Sequence, residues 1–258
     1  MTPTLFSWGY HGWGNHTKEL VKAVDAVETG RGFQPPFFVD IRYSRSVRAA
    51  GFRGPAFETL LGEERYLWMK SLGNKAIVTG RGPDIQIAEP EAAEKLLNLA
   101  LKLSRHKQRL IFFCGCAWPK WDGEIYCHRT EVVNLVLKAA TKRGIHIKIV
   151  EWPGGEPKRI TLDLRPEHFT AVKRGRKTIP LVRKFDLAEL AGLPWCSLAT
   201  LRSDDETLHR IVGPAVHQTG GWVLPVLGPA DDPTAGLKEC GEEASKMRNG
   251  RGLEAVLS

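Results

Sequence analysis

Two compact apolar runs, Phe37-Phe38-Val39-Asp40-Ile41 and Leu110-Ile111-Phe112-Phe113, constrain the fold of this chain most, with Ile145 to Val150 as a further strand. Neither run alternates strictly between apolar and polar positions. A strand that is apolar at successive positions must be covered on both faces, and a parallel sheet flanked by helices meets that condition. Segments of helical spacing lie on either side of each of these runs. Leu20, Val21, Val24 and Val27 recur three or four residues apart, with Asn15 or Thr17 as cap and Gly30 as stop. Ala93, Leu96, Leu97 and Ala100 make a second stripe within 89–104, and Val132, Val133, Val136, Leu137 and Ala140 a third within 129–143, closed by Gly144. Leu5-Phe6-Ser7-Trp8 adds a short first strand. The expected class is α/β, a doubly wound, mostly parallel sheet with helices on both faces. Trp152-Pro153-Gly154-Gly155-Glu156-Pro157 reads as a linker. It divides a catalytic α/β domain over 1–155 from a smaller basic C-terminal extension over 156–258. In the extension, Arg159 to Leu164 reads as a strand and Pro166 to Val172 as a helical turn; beyond them the pattern is weak.

Composition narrows the partners. With 37 Lys+Arg against 29 Asp+Glu, the net charge is +8, which favours a polyanion; nucleic acid is the expected partner, DNA in preference to RNA. No run approaches the roughly 18 apolar residues of a membrane span, and Met1-Thr2-Pro3-Thr4-Leu5 lacks the charged-then-apolar pattern of an export signal. The expectation is a cytoplasmic monomer with no membrane partner. Five cysteines, an odd number, then read as reduced thiols. No P-loop, GxGxxG, GxSxG or HExxH pattern occurs, which sets aside NTPases, dinucleotide enzymes, α/β-hydrolases and zincins. No cofactor is expected.

In an open α/β sheet, ligands bind outside the carboxyl ends of the strands. The loops Gly9–Gly14, Asp40–Arg53 and Cys114–Arg129 all follow predicted strands and should converge. At the end of its strand, Asp40 can act as general base or stabilise a developing cation, while Arg42 keeps it ionised or binds an anion; a structural ion pair is the other reading. Arg42, Arg45, Arg48 and Arg53, interleaved with Tyr43, Ser44, Ser46 and Phe52, suit phosphate clamping and base stacking, or form a solvated loop. Cys127-His128-Arg129 opens a helix, where exposed N–H groups and the dipole lower a thiol's pKa and attract anions. Cys127 is thus a candidate nucleophile or substrate contact, His128 an acid/base and Arg129 a phosphate ligand, or Cys127 is a small buried residue with His128 as its bonded neighbour. Cys114 and Cys116 with Cys127-His128 invite a zinc reading. Adjacent Cys and His rarely point at one metal and the usual two-residue gap is missing, so no metal is expected. Lys173-Arg174-Gly175-Arg176-Lys177 can track a phosphate backbone or form a solvated turn, and Trp118, in a strand-end loop, can stack on a base or belong to the core.

Taken together, Ser7-Trp8-Gly9-Tyr10-His11-Gly12, Val39-Asp40-Ile41-Arg42 with Arg45-Ser46 and Gly51-Phe52, Tyr66, Leu72-Gly73, and Phe113-Cys114 followed by Cys127-His128-Arg129 resemble the domain of unknown function 488 family over about residues 5–150. The resemblance implies a Rossmann-like architecture and an enzyme site built on these polar residues. Cys116 stands where that family usually carries a Glu, so the role of that Glu is in doubt here unless Asp122 or Glu124 replaces it. Asp163 to Phe169, continuing through Gly175-Arg176-Lys177-Thr178, is similar to the opening of nucleic-acid-binding domains of the ASC-1 homology type.

The expected activity is that of a DNA-acting hydrolase, most specifically an N-glycosylase excising a modified or damaged base in repair or phage defence. Asp40, with Asp84 or Glu124 as substitutes, would stabilise the oxocarbenium-like sugar and orient water. Tyr10, His11, Asn74 and His128 would contact or protonate the base, and Arg42, Arg45 and Arg129 would hold phosphates. The alternatives are a non-catalytic nucleic-acid-binding module and a Cys127-dependent enzyme on a small nucleotide or phosphorylated substrate.

Overall fold

A computed structural model of the protein describes residues 2–79, 85–116, 127–181, 185–218 and 221–230. They form two compact units, one over 1–152 and one beginning at Pro153, so the division falls three residues before the expected boundary after 155.

The first unit runs β1 (Thr4–Gly9), α1 (Thr17–Gly30), β2 (Gln34–Asp40), α2 (Ala56–Leu61), β3 (Tyr66–Trp68), α3 (Ala76–Thr79), α4 (Ala92–Ser104), β4 (Gln108–Cys114), α5 (His128–Lys142) and β5 (Lys148–Glu151). The five strands form one all-parallel sheet in the order β3-β2-β4-β1-β5. Here β4 is inserted between β2 and β1, which departs from the 3-2-1-4-5-6 order of the dinucleotide-binding fold.

Successive side chains along a strand point to opposite faces, and both faces are covered. Leu5, Val39, Leu110 and Phe112 pack in one core cluster with Leu96 and Leu97 of α4 and Val132 and Val136 of α5. Their neighbours Trp8, Phe38 and Phe113 turn the other way, into an aromatic cluster with Phe52, Phe57 of α2 and Tyr66 of β3. This two-sided burial explains the unbroken apolar runs. Phe113 is the centre of the aromatic layer, with Trp8, Phe52 and Phe57 all at 5.6–5.9 Å in tilted or edge-to-face geometry, the arrangement that ring quadrupoles favour.

The second unit runs β6 (Arg159–Asp163), α6 (Pro166–Lys173), β7 (Thr178–Pro180), α7 (Leu187–Ala191), β8 (Ser197–Ser203), β9 (Glu206–Val212), β10 (Val216–Gln218) and β11 (Gly221–Pro229). Its sheet has the order β10-β11-β9-β8-β6, with β7 added beside β11. Pairing is antiparallel except between β6 and β8. Pro166 at the first turn of α6 suits a helix start, where a missing N–H costs nothing. Asp186 caps α7, accepting from the backbone N–H groups of Ala188 and Glu189 at 2.8 and 3.1 Å. Phe169, Val172, Ile179, Leu201, Val212 and Leu224 form the core of this unit. The described residues of the C-terminal part therefore form a sheet with its own core, more than the strand and helical turn the sequence pattern predicts.

Among the described residues, no helix is long and apolar enough to cross a membrane. Cys114, Cys116 and Cys127 are free, whereas Cys196 is disulfide-bonded, which corrects the expectation of five reduced thiols.

Replacing Phe113 by Ala removes the ring that the aromatic layer surrounds. The expected cost is about 3–5 kcal/mol, read as a lower urea midpoint with an unchanged slope in equilibrium unfolding.

Candidate active site

The parallel register places the carboxyl ends of β1, β2, β4 and β5 side by side: Gly9 pairs with Cys114, Asp40 with Phe113 and Ser7 with Glu151. Backbone bonds continue past the strands, from Tyr10 N–H to the Cys114 carbonyl at 3.1 Å and from Ile41 N–H to the Phe113 carbonyl at 3.1 Å. The loops after these strands meet in two clusters.

The first is built on Asp40, which is fully buried. Its Oδ1 accepts from the Arg42 backbone N–H at 3.0 Å and from Arg42 Nε at 2.8 Å. Its Oδ2 accepts from Arg42 Nη2 and from the Tyr66 hydroxyl at 2.8 Å. The Arg42 Nη1 donates to the Tyr10 hydroxyl at 3.2 Å and to the Phe52 carbonyl at 3.0 Å. The Tyr10 ring stacks on Phe52 at 4.0 Å. Burial works against the charge on Arg42, but the Asp40 carboxylate outweighs it and raises the guanidinium's pKa. Burial also raises the pKa values of Tyr10 and Tyr66, and Asp40 adds to both. Asp40 is therefore a fully engaged anchor rather than a base presented to substrate, and Arg42 and Tyr10 are held by the same network.

The second cluster lies where β4 meets the start of α5. The Cys114 and Cys127 sulfurs are 3.4 Å apart, and with Cys116 all three sulfurs lie within 4.8 Å of one another. Arg129, almost fully buried, donates from Nε to Cys127 Sγ at 3.4 Å and from Nη1 to Glu151 Oε1 at 2.7 Å. Hydrogen bonds from Cys114 and Cys116, with help from His128 and Arg129, hold the Cys127 thiol well below its ordinary range against the effect of burial. Complete burial pushes Cys114 up. Glu151, at the end of β5, moves the same way: burial raises it to about 7, although Arg129 and Ser7 pull it down. Arg129 is itself raised, burial opposing and Glu151 favouring its charge. Both partners thus record an attraction, and for Glu151 the loss of hydration exceeds it.

The remaining predicted residues are dispersed. His128 is buried, with Nε2 3.2 Å from the Ile41 carbonyl; that nitrogen ties α5 to the end of β2 instead of facing a substrate. Asn74 accepts from the backbone N–H groups of Ala76 and Gln86 at 3.1 and 2.9 Å, which makes it a turn-forming residue. His11 is exposed. Tyr43 faces Lys70, whose Nζ lies 4.8 Å from the ring centroid. It packs so close to Gly73 that a Cβ there would fall 2.4 Å from the Tyr43 backbone nitrogen. Arg45 pairs with Glu58 at 2.6 Å and covers the Trp68 ring at 4.1 Å. Arg48 and Arg53 are exposed, and Arg53 Nε donates to the Val47 carbonyl at 2.9 Å. In the second unit Lys173, Arg174, Arg176 and Lys177 are all exposed around the turn after α6, with Lys173 paired to Glu206. Trp118, Asp84, Asp122 and Glu124 lie outside the described residues.

Glu151 is the residue that the sequence reading missed. Its signal was the one that singled out Asp40, a carboxylate ending an apolar strand, but the predicted strand stopped at Val150.

Asp40→Ala leaves Arg42 buried without its counter-charge and is expected to cost about 3–5 kcal/mol. Asp40→Ala with Arg42→Met restores part of that loss if the pair is structural; thermal unfolding of both variants measures it.

No protein-family model matches the chain and no curated protein is recognisably similar to it, so its function is argued from the strand-end geometry.

Proposed function

We propose that the chain is a nucleic-acid-acting hydrolase with a Rossmann-like first unit akin to the domain of unknown function 488 family. Its most specific form is an N-glycosylase that excises a modified or damaged base from DNA, with Glu151 in place of Asp40 as the catalytic carboxyl. The observation that carries this reading is Glu151 itself: a strand-end carboxyl held 2.7 Å from a buried arginine and raised to about 7. Such a group is partly protonated at neutral pH, which is what general acid catalysis needs. It donates its proton to the departing base as the C1′–N bond breaks. The resulting carboxylate then takes a proton from the water that adds to C1′, which regenerates the acid and leaves an abasic site. Arg129 stabilises the carboxylate between the two steps.

Charge supports the choice of substrate. The chain carries +8, and Arg48 and Arg53 are exposed in the loop after β2. Three inter-strand steps separate β2 from β5, about 14 Å at about 4.8 Å each. At that separation the arginine loop would hold flanking phosphates and leave the target nucleotide to Glu151. A base must leave the stack to be reached.

Incubation with duplexes carrying a broad panel of modified bases, including glucosylated phage DNA, is expected to yield alkali-labile abasic sites; no release from any of them sinks the proposal. Glu151→Gln lowers the rate by about 10²–10⁴-fold. Because the acid form is the active one, wild-type activity falls as pH rises through about 7, and this limb is missing from the residual activity of Glu151→Gln.

Arg48→Ala with Arg53→Ala is expected to weaken DNA binding evenly across sequences. The slope of log affinity against log salt becomes shallower by about 2, measured by fluorescence anisotropy over a salt series.

A further inference from the structure

Three thiol sulfurs gathered within 4.8 Å at the junction of a buried strand and a helix start require an explanation that the hydrolytic chemistry does not provide. Three thiolates on one tetrahedral zinc, at Zn–S distances of about 2.3 Å, sit about 3.8 Å apart. The described spacings bracket that value, from 3.4 Å between Cys114 and Cys127 to at most 4.8 Å within the set.

The surroundings are those of sulfur that carries negative charge. The Cys116 backbone N–H donates to Cys114 Sγ at 3.3 Å and Arg129 Nε donates to Cys127 Sγ at 3.4 Å. Arg129, 2% exposed, also keeps Nη2 buried and without a hydrogen-bond partner among the described residues. A zinc ion with three thiolates carries one net negative charge, which a buried guanidinium compensates. The unpaired Nη2 is a donor for a water, hydroxide or anion on the metal. Cys114 and Cys127 are buried while Cys116 is exposed, so the cluster has a solvent side from which a fourth ligand can come. His128 Nε2 is engaged at the Ile41 carbonyl.

We propose that Cys114, Cys116 and Cys127 form a thiolate site for a soft divalent metal, zinc above all, with Arg129 as its charge-balancing positioning residue and an exogenous ligand in the fourth position. Soft thiolates select zinc over hard cations such as magnesium or calcium. The binding step releases the thiol protons to solvent and transfers no electrons. This inference does not depend on the glycosidic reaction, and its test reads the metal directly.

The full-length protein, expressed in zinc-supplemented medium and purified under reducing conditions, is expected to hold one zinc per chain by elemental analysis. Replacement by Co²⁺ gives a near-ultraviolet thiolate-to-cobalt charge-transfer band with intense visible ligand-field bands. Cys116→Ser, at the exposed position outside the core, weakens zinc binding and diminishes that band. Arg129→Met lowers zinc affinity by roughly ten- to a hundred-fold while the cobalt band keeps its thiolate character. Two results overturn the proposal: zinc and the cobalt band absent from a protein whose circular dichroism and thiol count show it folded and reduced, or a Cys114–Cys127 disulfide that forms in air equally fast with and without zinc.

Discussion

The buried Asp40–Arg42 pair is the interaction on which the strand-end architecture depends. Four of the five guanidinium N–H bonds of Arg42 are used, two on Asp40, one on Tyr10 and one on the Phe52 carbonyl. Through them the end of β2 is tied to the loop after β1 and to the segment before α2, and through Tyr66 also to β3. Two desolvated charges repay their cost only when geometry is good and the remaining valences are satisfied. Here they are, and the aromatic layer of Tyr10, Phe52 and Phe113 packs around the guanidinium at 5.1–5.9 Å. The pair acts as a fixed post, and the cluster of Cys114, Cys127, Arg129 and Glu151 stands to one side of it.

That arrangement separates two electrostatic environments along one sheet edge. At β2 four of the five Arg42 guanidinium N–H groups and both Asp40 oxygens are engaged. At β4 and β5 the network is more open: Arg129 serves a carboxyl raised to about 7 and a thiol moved down, and its Nη2 has no partner among the described residues. Titratable groups displaced in opposite directions around one cation suit acid–base chemistry or metal binding better than a saturated ion pair does.

Much of the first unit was legible because its signals are local. Unbroken apolar runs identified β1, β2 and β4, and apolar stripes identified α1, α4 and α5, since burial on two faces and on one stripe leaves those patterns. The three-residue β3 left none. The second unit was harder to read because its strands are mostly antiparallel and mix small, polar and apolar residues, as in Ser197 to Ser203. Its clearest local cue was Asp204-Asp205, the two-residue turn between β8 and β9, with Asp204 at φ +48°. At the site, sequence pattern located the strand ends but not which carboxyl was saturated. Asp40 and Glu151 both end apolar strands; only the arginine beside each, and what else that arginine touches, distinguishes them.

The register of β5 has a consequence for biosynthesis. Among the described residues, β5 is the last strand of its unit in sequence and pairs with β1, the first, setting Glu151 opposite Ser7 across nearly the whole length of that unit. Such a contact closes late, because the intervening chain must be in place before the ends can meet. As the ribosome releases the chain, β1, β2 and β4 can assemble with the aromatic layer before Glu151 has docked. A chain that ends before β5 therefore carries the residues of the aromatic layer and of the Asp40–Arg42 pair yet lacks Glu151.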